Sequence, residues 1–136
     1  MQLSRLIETA ADTGTVPASE AADACKALGL SSTEFCDVFA RSVATGFLSG
    51  TYSWESSDAA MNGLSGYGFA LSSHHSLPDF AFGVFLAFDA GETLLPPANE
   101  TVAREQLSRL LNPPNQSSEP TLSPVTPPAE QESRPR

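Results

Sequence analysis

Residues 31–47, SSTEFCDVFARSVATGF, carry the clearest helix signal in the chain. Ser31 and Glu34 have the spacing of a capping box, in which each side chain accepts a hydrogen bond from the backbone N–H of the other residue. Apolar side chains then recur every three or four residues, at Phe35, Phe39, Val43 and Phe47. This pattern predicts an amphipathic helix whose aromatic stripe faces the core of the protein.

Similar signals predict helices on both sides of this segment. Apolar residues at helical spacing indicate one helix that ends near Gly14 and a second at about 17–28, where Gly29 suits a left-handed helix end. Ser53 is a candidate N-cap for a later helix, and the last helix spans about 99–111. All eight phenylalanines lie between Phe35 and Phe88, so we expect an aromatic core in the middle of the chain.

Residues 80–88, FAFGVFLAF, fit two structures. Large apolar residues at every second position would suit one face of a strand. Such a strand could pair with residues 66–72 in a hairpin and give an α+β fold. As a helix, the segment is apolar nearly all round and is expected to be central and buried, with Ser76 and Asp79 at cap spacing. We favour the helix, because no other segment is a convincing strand partner. The predicted fold is therefore an all-α compact bundle of about five to six short helices.

A change of composition at Asn112 marks the predicted end of the folded domain, 1–112. Seven of the 24 residues in 113–136 are proline, and most of the others are Ser, Thr, Glu or Gln. Such a segment buries too little apolar surface to offset its conformational entropy. We expect a disordered Pro/Ser/Thr-rich tail, in which Pro124 and Pro127 have the PxxP spacing of polyproline ligands.

The charge of the chain disfavours nucleic acid as a partner. Residues 1–112 contain five Lys and Arg side chains against thirteen Asp and Glu side chains, a net charge of −8. The predicted helices at 17–28 and 31–47 are spaced like a helix-turn-helix, but the second offers Arg41 as its one cation. We expect repulsion from phosphate backbones, and a structural helical corner at this position.

Membrane insertion and export are also disfavoured. The most apolar run, residues 80–88, is about half the length of a membrane-spanning helix, and residues 1–10 lack the apolar run of a secretory signal. The expected location is cytoplasmic. Cys25 and Cys36 are then expected to be reduced and to act as small apolar side chains in or near the core.

Candidate chemical groups are few. The adjacent His74 and His75 do not point to a metal site, and the order of Gly63, Gly66 and Gly68 is not that of a phosphate loop, so no cofactor is predicted. These glycines are better explained by close packing or by a helix that frays near Tyr67.

The acidic side chains lead to the functional hypothesis. Two carboxylate pairs, Glu55 with Asp58 and Asp89 with Glu92, are candidate partner-binding residues. The leading hypothesis is a non-enzymatic module that binds another protein, one with a basic surface, as an inhibitor, immunity-type protein or regulatory subunit would. The alternative is a small enzyme or ligand-binding domain with a pocket among the central aromatic residues and Gly63–Gly68. The oligomeric state is left open.

Overall fold

The computed structural model of the protein describes residues 2–71 and 77–112. These residues form six α-helices and no strand. The helices are α1 (Gln2–Thr13), α2 (Ala18–Leu28), α3 (Ser32–Leu48), α4 (Trp54–Leu71), α5 (Asp79–Asp89) and α6 (Ala98–Leu111). The all-α prediction is confirmed. The alternative hairpin over residues 66–88 is wrong, because residues 66–71 and 80–88 are helical.

Helix α3 lies at the centre of the bundle and packs against α1, α2, α4 and α5. Its predicted stripe is fully buried. The Phe35 ring lies 5.8 Å from the Phe39 ring and 5.5 Å from the Tyr67 ring of α4, and Phe47 meets Phe88 of α5 edge-on at 5.2 Å. These contacts confirm the aromatic core, and they join the middle helices through rings of high apolar area.

Both ends of α3 are capped by hydrogen bonds. At its start the capping box is confirmed, since Ser31 Oγ accepts from Glu34 N at 3.1 Å and Glu34 Oε1 accepts from Ser31 N at 2.9 Å. At its end Arg104 of α6 donates to the Leu48 carbonyl at 3.2 Å, with the guanidinium 4.9 Å from the Phe47 ring. A cation at a helix C-terminus is favourable, so α6 stabilises the end of α3.

Helix α5 begins later than the sequence predicted. Its N-cap position is Pro78, which offers no side-chain cap, instead of Ser76. Asp37 of α3 accepts a hydrogen bond from Ala81 N at 3.2 Å and so satisfies one of the free N–H groups at the start of α5. Arg41 of α3 lies 4.5 Å from the centre of the Phe80 ring. The cap of α5 therefore comes from a distant part of the chain.

The expectation that α5 is buried all round is wrong. Its buried residues are Ala81, Val84, Ala87 and Phe88. Phe82 and Leu86 are 39% and 42% exposed, and Phe85 is half-buried. Helix α5 packs against α3, α4 and α6 on one side, and none of the described helices covers the other side.

The glycines of α4 do not end the helix near Tyr67, since α4 continues to Leu71. A Cβ atom at Gly63 would lie 3.2 Å from backbone atoms of Gly14 and Thr15, and one at Gly68 would lie 2.9 Å from Leu77 Cδ2. Gly66 has open space where a Cβ would be. Close packing therefore accounts for Gly63 and Gly68, as predicted, but not for Gly66.

This difference predicts opposite effects of one substitution. Gly66→Ala should raise the free energy of unfolding by about 0.5–1 kcal/mol, because alanine is the better helix former and meets no neighbour. Gly63→Ala should lower it by about 1 kcal/mol, since the backbone of the α1–α2 turn must move. Urea denaturation of the two variants measures both effects. Destabilisation by Gly66→Ala would contradict the open space seen at this position.

Candidate functional site

Three of the four predicted partner-binding residues lie together on the surface. Asp58 on α4, Asp89 at the end of α5 and Glu92 just after it are brought together by the packing of α4 against α5. Asn62, one turn after Asp58, donates through Nδ2 to Asp58 Oδ2 and to Glu92 Oε2, both at 3.5 Å. We call Asp58, Asp89 and Glu92 the acidic cluster. Only tertiary packing makes it, because Asp58 and Glu92 are 34 positions apart.

Glu55, the fourth predicted residue, lies outside these contacts. It is exposed on α4, three positions before Asp58, and residues at this spacing are neighbours on one face of a helix. Asp89 and Glu92 are also exposed, whereas Asp58 is half-buried between them. The arrangement is therefore a half-buried carboxyl group with three exposed carboxylates beside it.

The environment of Asp58 favours its neutral form. Burial, a hydrogen bond and the negative charge of Glu92, and the charge of Asp89 together raise the pKa of Asp58 from 3.8 to about 7. Each of these causes disfavours a second carboxylate at this position. In its neutral form Asp58 can donate its proton to Glu92, which ties α4 to the segment after α5.

The acidic cluster does not have the geometry of a metal site. In residues 2–71 and 77–112 no group of three His, Cys, Asp or Glu side chains is placed to hold a metal ion. A carboxyl group with a pKa near 7 matches what a general base needs. General-base catalysis also needs a cavity that holds the substrate, so Asp58 would have to line a groove of the surface.

A groove of about 330 Å³ lies where the α1–α2 turn meets α4. It is lined by residues 14–16 of the turn and by Gly63, Gly66 and Tyr67, which is the region named for the alternative ligand pocket. Among the described lining residues Tyr67 is the one with an ionisable side chain, and burial raises its pKa, so the phenol is neutral. Asp58 does not line this groove. Asp58, the carboxyl group with the raised pKa, therefore lies outside this groove.

Comparison with protein-family models, with curated proteins and with solved structures found no match.

Helices α2 and α3 meet at a helical corner, and the expectation that this corner does not bind DNA stays a prediction. Gly29 ends α2 with a left-handed φ of 68°, and the following helix α3 buries Phe35, Cys36 and Phe39. Arg41, its one cation, lies over the Phe80 ring. Ser32, Thr33 and Glu34 at the start of α3 are exposed, but this end of the helix offers no cation to a phosphate backbone.

The two cysteines are free, and their positions agree with the prediction of small side chains in or near the core. Cys36 is buried, and burial raises the pKa of its thiol to about 11. Cys25 is half-buried, with a thiol pKa also raised by burial. Both are therefore protonated at neutral pH and poor nucleophiles.

Some predictions concern residues outside the described ranges. These are His74 and His75, the tail 113–136 and its PxxP motif at Pro124–Pro127. They stay predictions. Of the six described helices, none combines the length and the apolar character that crossing a membrane requires.

One surface feature was missed by the sequence reasoning. The exposed face of α5, with Phe82 and Leu86, cannot be recognised from residues 80–88 alone, because this run is apolar on every side. A signal was nevertheless present, because Asp79 and Asp89 stand at the two ends of this run and share a face with Phe82 and Leu86.

Proposed function

We propose that the protein is a non-enzymatic module that binds another protein through an acidic surface, as an inhibitor, immunity-type protein or regulatory subunit would. The observation that carries this proposal is the acidic cluster with Glu55 beside it. The pKa of Asp58 is raised first by burial, and the negative charges of Glu92 and Asp89 raise it further by repulsion. A partner that brings cations to this surface relieves that repulsion, which favours binding.

The charge of the whole domain supports the same proposal. A net charge of −8 over residues 1–112 attracts a basic partner from a distance and repels acidic ones. Such long-range attraction acts mainly on the rate of association, and salt screens it over about 10 Å at 0.1 M. The proposal therefore makes a kinetic prediction.

The prediction compares two variants that each lack three carboxylates. The partner is first captured from an extract of the native host and purified. The cluster variant, Glu55→Gln/Asp89→Asn/Glu92→Gln, should then associate with it about ten times more slowly than the unchanged protein, with little change in dissociation. The control, Glu8→Gln/Asp12→Asn/Glu20→Gln, removes three exposed carboxylates from α1 and α2 and should stay within about threefold.

Stopped-flow or surface-based kinetics between about 20 and 300 mM salt measure both effects. Raising the salt concentration should slow association of the unchanged protein and leave dissociation nearly constant. An association rate that is indifferent to salt, or equal in the two triple variants, would contradict the proposed role of the acidic surface.

The alternative function, a small ligand-binding domain, is favoured by one observation, the groove at Gly63, Gly66 and Tyr67. Its volume of about 330 Å³ lies at the lower end of the usual range for ligand pockets. A compound that selectively shifts the NMR signals of residues 14–16 and of Tyr67 would support this function. We rank it second because the groove offers one ionisable side chain among its described residues.

A further inference from the structure

The uncovered face of α5 has an ordered arrangement of apolar and acidic residues. Asp79, Phe82, Leu86 and Asp89 follow one another at spacings of three, four and three residues. On an α-helix this spacing places all four on one face. Phe82 and Leu86 are 39% and 42% exposed, and both aspartates are exposed. We call these four residues the α5 face.

Neighbouring residues support the two apolar side chains from below. The Phe82 ring stacks on the half-buried Phe85 ring, with centroids 6.1 Å apart and planes inclined by 16°. Beside Leu86, a groove of about 300 Å³ runs between α5 and α6, bounded by Gly83 and Leu110. The α5 face is thus an apolar ridge with a groove at its side. An apolar side chain of a partner can enter this groove.

The two aspartates are not explained equally well by the stability of the helix. Asp79 lies in the first turn, where the helix dipole favours a negative charge. Asp89 is the last residue of α5, where the dipole disfavours a negative charge by a few tenths of a kcal/mol or more. It also belongs to the acidic cluster, so the α5 face and the acidic cluster form one continuous surface.

The negative charges of Asp79 and Asp89 indicate which kind of molecule can bind to the α5 face. In a second copy of the chain, antiparallel pairing of two α5 helices would place Asp79 opposite Asp89, and parallel pairing would place like residues opposite each other. Both arrangements bring carboxylates together, which is unfavourable. Arg109 on the rim of the groove belongs to α6 and lies four positions after Glu105. The fitting occupant therefore brings cations to the two ends of the ridge.

We infer that the α5 face docks an amphipathic helix of a partner protein, which carries two apolar side chains between two cations. The partner's cations pair with Asp79 and Asp89, which are about 15 Å apart along α5 by the rise of 1.5 Å per residue. Its apolar side chains cover Phe82 and Leu86 and enter the groove beside Gly83. This inference rests on the proposed function and adds the place of contact and the kind of segment that binds there.

The test uses a synthetic helical peptide as the probe. It carries Lys, Leu, Leu and Lys at the spacings of three, four and three residues on an alanine-rich background, and a control peptide has Glu in place of both Lys residues. We expect saturable binding of the Lys peptide to the ¹⁵N-labelled full chain. The NMR shifts should be concentrated in residues 79–89 and near Leu110. The Glu peptide should bind at least ten times more weakly.

Two variants of the protein locate the contact. Phe82→Ala/Leu86→Ala should lower the affinity for the Lys peptide at least tenfold, as measured by fluorescence anisotropy. The melting temperature of this variant should stay within a few degrees of that of the unchanged protein, because both side chains are already exposed. Phe69→Ala is the matched control on α4, where Phe69 is 65% exposed, and it should change the affinity by less than about twofold.

The outcomes separate this inference from the function on which it rests. Shifts confined to the acidic cluster, with affinity unchanged in Phe82→Ala/Leu86→Ala, would overturn docking on α5 and leave the acidic-surface proposal standing. Equal binding of both peptides would overturn the pairing of charges, and no saturable binding of the Lys peptide would overturn the inference as a whole. Self-association lost in Phe82→Ala/Leu86→Ala would identify a second copy as the occupant and overturn it too.

Discussion

Replacement of Phe39 by alanine should lower the free energy of unfolding by about 3–5 kcal/mol. Phe39 is fully buried in α3, and its ring packs beside Phe35 at 5.8 Å. The substitution removes the transfer free energy of the ring and leaves a cavity that the rigid neighbours fill only in part. A domain of this size has a total stability of about 5–15 kcal/mol, so the variant should be close to unfolding.

Denaturation in urea, followed by far-UV circular dichroism, measures this effect. The control is Phe82→Ala, which removes the same ring from an exposed position on α5 and should cost less than about 1 kcal/mol. Phe85→Ala should fall between the two, because Phe85 is half-buried. A near-native midpoint for Phe39→Ala would contradict the place of α3 at the centre of the core.

Replacement of Asp58 by asparagine should stabilise the protein at pH 8 and leave it nearly unchanged at pH 4. Asp58 has a pKa raised to about 7 in the folded protein, against 3.8 as its ordinary value. Below the lower value both the folded and the unfolded states bind the proton, so Asp58 costs nothing. As the pH rises from about 3.8 to about 7, the unfolded state releases the proton first, and stability is lost across this window.

The size of the effect follows from the shift. About three pH units at about 1.4 kcal/mol each give an upper value of about 4 kcal/mol, and solvent screening of this half-exposed group reduces it to about 2 kcal/mol. The amide introduced by Asp58→Asn cannot ionise, and it can still donate a hydrogen bond to Glu92 as the protonated carboxyl group does. The Asp58→Asn variant therefore keeps, above pH 7, the stability that the unchanged protein loses when Asp58 ionises.

Urea denaturation at pH 4 and at pH 8 checks this expectation. Glu8→Gln is the matched control, because it also removes one carboxylate, from an exposed position on α1, and its effect should stay within about 0.5 kcal/mol at both pH values. If Asp58→Asn lowered stability at pH 8, Asp58 would be a stabilising carboxylate, and the repulsion within the acidic cluster would be ruled out.

The acidic cluster shows how far sequence reasoning reached at the candidate site. The sequence pointed to Asp58, Asp89 and Glu92 as members of two separate pairs near helix ends. It could not show that the pairs meet, because their contact depends on how α4 packs against α5. Nor could it show which carboxyl group is half-buried, since burial is a property of the assembled helices.

The sequence by itself determined the helical class and the main helix boundaries. The capping box at Ser31 and Glu34 and the apolar stripe of α3 act over one to four residues, so they are legible in the order of amino acids. For residues 80–88 the period fitted both structures, and the lack of a convincing strand partner decided correctly in favour of a helix.

Only the tertiary structure decided which side of α5 is covered and what caps the start of α5 and the end of α3. Asp37 reaches the start of α5 across 44 positions, and Arg104 reaches the end of α3 across 56. Such contacts depend on crossing angles and distances between whole helices, which no local period encodes. For the same reason a run that is apolar on every side, such as FAFGVFLAF, carries no mark of the face that packing leaves exposed.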